Sequence, residues 1–166
     1  MRVLGVDPGL TRAGYGVVED IKGRLRAIAH GTLRAQGDTV ASQLATLRSR
    51  LAAVVREHEP QAVAVERLFV TRNQRTAIRV GQASGIALLV AAEAGLEVVE
   101  YGPLQVKQAV VGTGSATKDQ VGFMVGRLLG LAEKPDTADA ADALALAICH
   151  LHSWKITARA NAGAAR

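Results

Sequence analysis

Short apolar runs alternate along this chain with stretches whose apolar positions return every three or four residues, and the order of these patterns predicts the elements. Residues 1–7 are nearly all apolar and end at Asp7-Pro8-Gly9. Residues 14–20 read as a hairpin partner after a loop containing Gly9 and Gly14, and 25–33 as a third strand. Over 41–58 the residues Leu44, Leu47, Leu51, Val54 and Val55 fall at helical spacing, and Pro60 stops the pattern. A strand over 61–68 carries Glu66, a long helix follows over 73–94, and a short strand covers 97–101. Helices over 103–111 and 117–129 flank a Gly-rich loop, and a last helix runs over 137–152. Hairpin strands followed by alternating helices and strands predict an α/β fold, a mixed five-stranded sheet flanked by helices. Residues 1–155 form one domain in this reading, and 156–166, with nothing to bury, a flexible tail.

Four carboxylates sit awkwardly in that pattern. Asp7 and Glu66 each end or interrupt an apolar run that reads as a buried strand, and Asp139 and Asp142 lie three apart in an alanine-rich helix with no Lys or Arg beside them. An ionised carboxylate taken out of water costs several kcal/mol or more unless it is paired or bound to a metal. Strand alternation puts Val3, Gly5 and Asp7 on one face, and Ala62, Ala64 and Glu66 on one face. If these strands are neighbours and the last helix crosses them, all four acids converge. Oxygen ligands without His or Cys suit Mg²⁺, or Mn²⁺ as a substitute, rather than zinc. Two such ions about 4 Å apart serve phosphodiester hydrolysis by water, with no protein nucleophile. Taken singly, each acid also reads as a surface cap or ion-pair partner, and Asp7 as a turn residue.

Composition narrows the partners. A chain of 166 residues, 49% hydrophobic, can bury a full core. Its one cysteine, Cys149, has no partner within the chain, which suits a reducing, cytoplasmic setting. The N-terminus shows no basic leader, and no apolar run approaches about 18 residues, so no membrane association is expected. Net charge +5 and pI near 9.9 favour a polyanion. No acid falls between Glu66 and Glu93, whereas Arg67, Arg72, Arg75 and Arg79 do, the last three on one helical face. Alone that is a solvated surface; beside Glu66 it reads as a nucleic-acid contact. Phe69 is either the last core residue of its strand or a wedge that stacks on an unpaired base. Lys107 alone would be an ordinary surface lysine, while Lys118 opens a helix, where phosphate binds well. The loop before Lys118 lacks the glycine of a nucleotide-binding loop, and His150 and His152 point apart on their helix, against zinc.

Together, Val6-Asp7-Pro8-Gly9, Val65-Glu66 followed by Phe69 and Asn73, the stretch from Tyr101 through Lys107 to Gln108, Gly114-Ser115 with Lys118, and Asp139 with Asp142 resemble the bacterial RuvC family of Holliday-junction resolvases. The resemblance covers residues 1–152, with the blocks in order. It implies an RNase H-like fold, a homodimer, two Mg²⁺ per active site, and paired symmetric nicks in a four-way DNA junction. It also implies partnership with a branch-migration helicase complex. Asp7, Glu66, Asp139 and Asp142 match the family's catalytic, metal-binding acids. Phe69 matches its stacking aromatic, and Lys107 and Lys118 its lysines near the scissile phosphate; Arg72, Asn73, Arg75 and Ser115 complete the expected DNA contacts. Two rival readings are a non-catalytic junction-binding module, in which the acids would be dispensable, and an actin-like ATP-dependent phosphotransferase, which needs a second lobe.

Overall fold

A computed structural model describes residues 1–67 and 73–164, with side chains of the last helix described through Lys155 and at Thr157. In chain order the elements are β1 (Arg2–Asp7), β2 (Arg12–Ile21), β3 (Arg24–Arg34), α1 (Val40–His58), β4 (Ala62–Glu66), α2 (Gln74–Glu93), β5 (Glu97–Tyr101), α3 (Pro103–Val111), α4 (Lys118–Leu129) and α5 (Ala138–Ala164). The five strands lie in the order β3-β2-β1-β4-β5. β1, β2 and β3 pair antiparallel, whereas β1–β4 and β4–β5 are parallel, which makes the sheet mixed as expected. Lys22 and Gly23 close the β2–β3 hairpin with positive φ at both positions (52° and 91°), the twist a two-residue hairpin favours.

The period of two decides which helices cover which face. Leu4, Val6, Val63 and Val65 belong to a core with Leu47 and Leu51 of α1 and Ala83, Ala87 and Val90 of α2. Val3, Ala62 and Ala64 face the other way, into a core with Val121 and Val125 of α4 and Leu144, Ile148 and Leu151 of α5. The sheet is therefore the middle of three layers, and α5 is covered both by the strands and by α3 and α4. Residues 143–151 of α5 are buried without a break, so this segment shows no polar stripe.

α5 reaches the sheet at backbone contact. A Cβ placed on Gly5 would lie 1.9 Å from the Ala143 carbonyl oxygen, and one on Gly14 would lie 2.0 Å from that of Asp139. Only hydrogen fits at these two strand positions. Ala140, Ala143 and Ala147 are fully buried in the same contact. Thr137 caps the helix, its Oγ1 accepting from Ala140 N at 3.1 Å and meeting Thr32 Oγ1 of β3 at 2.8 Å.

Two boundaries differ from expectation. β4 stops at Glu66, and Leu68, expected in that strand, lies outside the described residues. α5 continues past His152 through Ala164, because the stretch expected as a tail is rich in alanine, which propagates a helix. Among the described residues no helix is long and apolar enough to cross a membrane.

Gly5→Ala should destabilise the protein by about 2 kcal/mol or more in urea unfolding, since the clash is with backbone. Gly126→Ala, where an added Cβ meets nothing within 4 Å in α4, should instead stabilise by up to about 1 kcal/mol.

Candidate active site

Parallel pairing of β1 and β4 sets the first two acids. The register places Val6 opposite Val65, so Asp7 and Glu66 emerge together at the carboxyl ends of adjacent strands. The small residues below them, Gly5 and Ala64, let α5 settle close, and its first turns bring Asp142 over the strand ends. Asp7, Glu66 and Asp142 line one cleft of about 80 Å³ with Lys107 of α3 and Lys118 of α4. Val106, Val121 and Leu146 supply its apolar wall. Segments far apart in sequence thus contribute to a single space.

Asp139 stands apart from that lining. Its Oδ2 lies 3.6 Å from Arg12 Nε at the start of β2, although its charge still reaches Asp7. Asp142 is paired as well, its Oδ2 accepting from Lys118 Nζ at 3.0 Å. The sequence reads these two acids as buried and without a nearby cation. Their side chains are in fact 29% and 36% exposed, and each meets a cation from another element. The first turns of α5 lie over the ends of the central strands, where solvent and long basic side chains reach them. Arg12 is the residue that sequence reasoning missed. Nothing in an arginine at a strand start indicates which distant helix it will meet.

The crowding of acids has an electrostatic consequence. Burial, then the charges of Glu66, Asp142 and Asp139, push the Asp7 carboxyl up to about 7, with Lys118 partly offsetting them. Burial and Asp142 likewise raise Glu66, again against Lys118. The hydrogen bond and charge of Asp142 in turn hold Lys118 above the usual lysine range. The cleft is short of positive charge, and its donors are carboxylate oxygens without His or Cys. That chemistry fits a hard divalent cation. Among the described residues, however, no three His, Cys, Asp or Glu are gathered as a ready-made ion cage. Asp142 is turned to Lys118, and Asp139 to Arg12.

The expected DNA contacts separate into groups. Lys107 and Lys118 are brought to the acids. Asn73 caps α2, its Oδ1 accepting from Thr76 N at 3.2 Å, so its carboxamide has a structural task. Arg75 is exposed on the first turn of that helix. Ser115 is exposed in the loop before α4, its hydroxyl 2.9 Å from that of Thr113. Phe69 and Arg72 lie outside the described residues. Away from the cleft, buried His150 meets Tyr101 Oη through Nδ1 at 3.1 Å, and His152 meets the Ala109 carbonyl at 2.9 Å. Cys149 is buried, and burial pushes its thiol up to about 11.

Residues 3–150 match the family profile described as crossover junction endodeoxyribonuclease RuvC. The chain belongs to the RuvC family. It is 49% identical over 158 residues to RuvC of Syntrophomonas wolfei, covering 95% of this chain and 92% of that protein. It is 51% identical over 167 residues to RuvC of Salinispora arenicola, covering 99% and 94%. The structure of Thermus thermophilus RuvC in complex with Holliday junction substrate superposes with a TM-score of 0.90 at 38% identity, covering 95% of this chain and 96% of that one. The yeast mitochondrial Holliday junction resolvase shares the fold alone, with a TM-score of 0.65 at 16% identity over 90% and 77% of the two chains. The RuvC fold, RNase H-like, is the one the α/β pattern and the resemblance anticipate.

Asp7 holds its proton more tightly in the folded than in the unfolded chain. Its contribution to stability is fully present below pH 3.8 and is lost as pH rises through about 7. The metal-free Asp7→Asn variant should therefore be more stable than the parent at pH 8, by on the order of 2 kcal/mol, with the advantage shrinking toward pH 4. Thermal melts in EDTA across that range check it; an advantage that grows on acidification contradicts the assigned strain.

Proposed function

We propose that this protein is a divalent-metal-dependent endodeoxyribonuclease that resolves Holliday junctions by paired, symmetric nicks. The observation that carries the reading is the cleft in which Asp7, Glu66 and Asp142 face Lys107 and Lys118, in a member of the RuvC family. Asp7 and Glu66 hold the cation from the rigid strand ends, Asp142 closes the site from α5, and Asp139 acts at its edge. A bound divalent cation, Mg²⁺ with Mn²⁺ as substitute and two per site, supplies Lewis acidity and a more acidic attacking water.

The remaining steps belong to the chain. Lys107 and Lys118 face the incoming phosphate and oppose its charge. Val106, Val121 and Leu146 exclude bulk water from one side, which strengthens every charge interaction in the cleft. Arg75 and Ser115 extend the contact along the DNA backbone, with Arg72, and Asn73 fixes the start of the helix that carries Arg75. Phe69 stacks at the junction centre.

Two coordinated cuts need two sites, and α2 supports a homodimer. Ile78, Leu88 and Leu89 are exposed on it, and an added Cβ at Gly85 meets nothing within 4 Å, so a second copy of the helix can approach closely. The single cysteine suits a cytoplasmic setting, and the family resemblance implies a branch-migration helicase partner.

A labelled synthetic four-way junction, incubated with and without Mg²⁺, should give symmetric, ligatable nicks only with metal. Asp7→Asn or Asp142→Asn should slow nicking by about 100-fold or more, with junction affinity within a few-fold of the parent. Retained cleavage with lost binding would overturn the assignment. Phe69→Ala should impair junction cleavage more than duplex affinity, and equal losses on both would remove the stacking role.

A further inference from the structure

Lys118 is the first residue of α4, where the helix dipole disfavours a cation. Its ammonium is held there by Asp142 at 3.0 Å. The lysine side chain is 81% exposed, so the pair stands at the mouth of the cleft. Lys118 and Asp142 also line a neighbouring cavity of about 180 Å³ formed with Asp119, Lys134 and Thr137. The ion pair is thus the shared wall of two cavities. A flexible four-carbon stem lets the ammonium leave the carboxylate without any change in backbone.

Resting on the reading of the cleft as a divalent-cation site, we propose that Lys118 is its internal occupant. In the DNA-free protein Lys118 neutralises Asp142; when a junction binds, it passes to a backbone phosphate and releases that carboxylate to the metal. Metal loading and DNA binding then favour each other, by the same factor in both directions.

Three observations carry this. Asp142 Oδ2 is committed to Lys118, and among the described residues no three acids are gathered as an ion cage. A phosphate arriving at the start of α4 meets the positive end of the helix dipole, where Thr117 caps the Gln120 N–H, as well as the ammonium, and competes well against a carboxylate that is 36% exposed. Once Lys118 has turned away, Asp7, Glu66 and Asp142 share the cleft with Lys107 as the only other basic residue lining it among the described residues. Among the described residues Lys107 forms no ion pair, so its removal subtracts charge without freeing a ligand.

Mn²⁺ titration of the DNA-free full chain by calorimetry separates these roles. Lys118→Met should bind Mn²⁺ about tenfold more tightly than the parent, Lys107→Met within about threefold, and Lys118→Arg, which keeps the pair, close to the parent. Junction affinity measured by fluorescence anisotropy should rise several-fold in Ca²⁺ over EDTA for the parent, and Lys118→Met should lose most of that rise. Equal Mn²⁺ affinity in Lys118→Met and the parent, an equal gain in Lys107→Met, or an undiminished Ca²⁺ effect overturns the coupling while leaving the cation site standing. Absence of Mn²⁺ binding in every variant overturns both.

Discussion

The contact on which the site depends is made of backbone. α5 rests directly on β1 and β2 because Gly5 and Gly14 have no side chain to hold it off, and because α5 presents alanines in return. A single methyl at either glycine would enter the space of a carbonyl oxygen. This closeness sets the distance between the acids at the strand ends and those on the helix, and therefore the field in the cleft. The packing that orders α5 also forces like charges together.

The sheet contributes direction. A parallel β1–β4 pair at its centre puts two carboxyl ends side by side, the end of an α/β sheet where ligands bind. The antiparallel β2–β3 hairpin widens the platform and seats the start of α5 through Gly14 and Thr32, and Arg12 at the head of β2 reaches Asp139. α3 and α4, packed over α5, carry the two lysines that face the acids. Negative charge comes from the sheet and the central helix, and among the described residues the positive charge lining the cleft comes from the outer layer.

Much of this was legible beforehand for local reasons. Alternation alone assigned Val3, Gly5 and Asp7 to one face and Leu4 and Val6 to the other, because a strand has only two faces. Helical spacing located α1, and Lys118 was read at a helix start. The ion pairs Arg12–Asp139 and Lys118–Asp142 were not legible, since each joins residues remote in sequence and no periodicity encodes which charges will meet. The exposure of Asp139 and Asp142 was misread for the same reason: an alanine-rich surrounding signals close packing, not the side of the helix that opens to solvent.

By itself the sequence determined the set of elements, the faces of the strands and the presence of acids in apolar surroundings, because these follow from short-range periods and the cost of burying charge. The tertiary structure decided that three acids share one cleft, that the fourth turns aside to Arg12, and that Lys118 pairs with Asp142 at that cleft. Electrostatic partners are chosen by proximity in space, and that proximity exists only once α5 has settled on the glycines of the sheet.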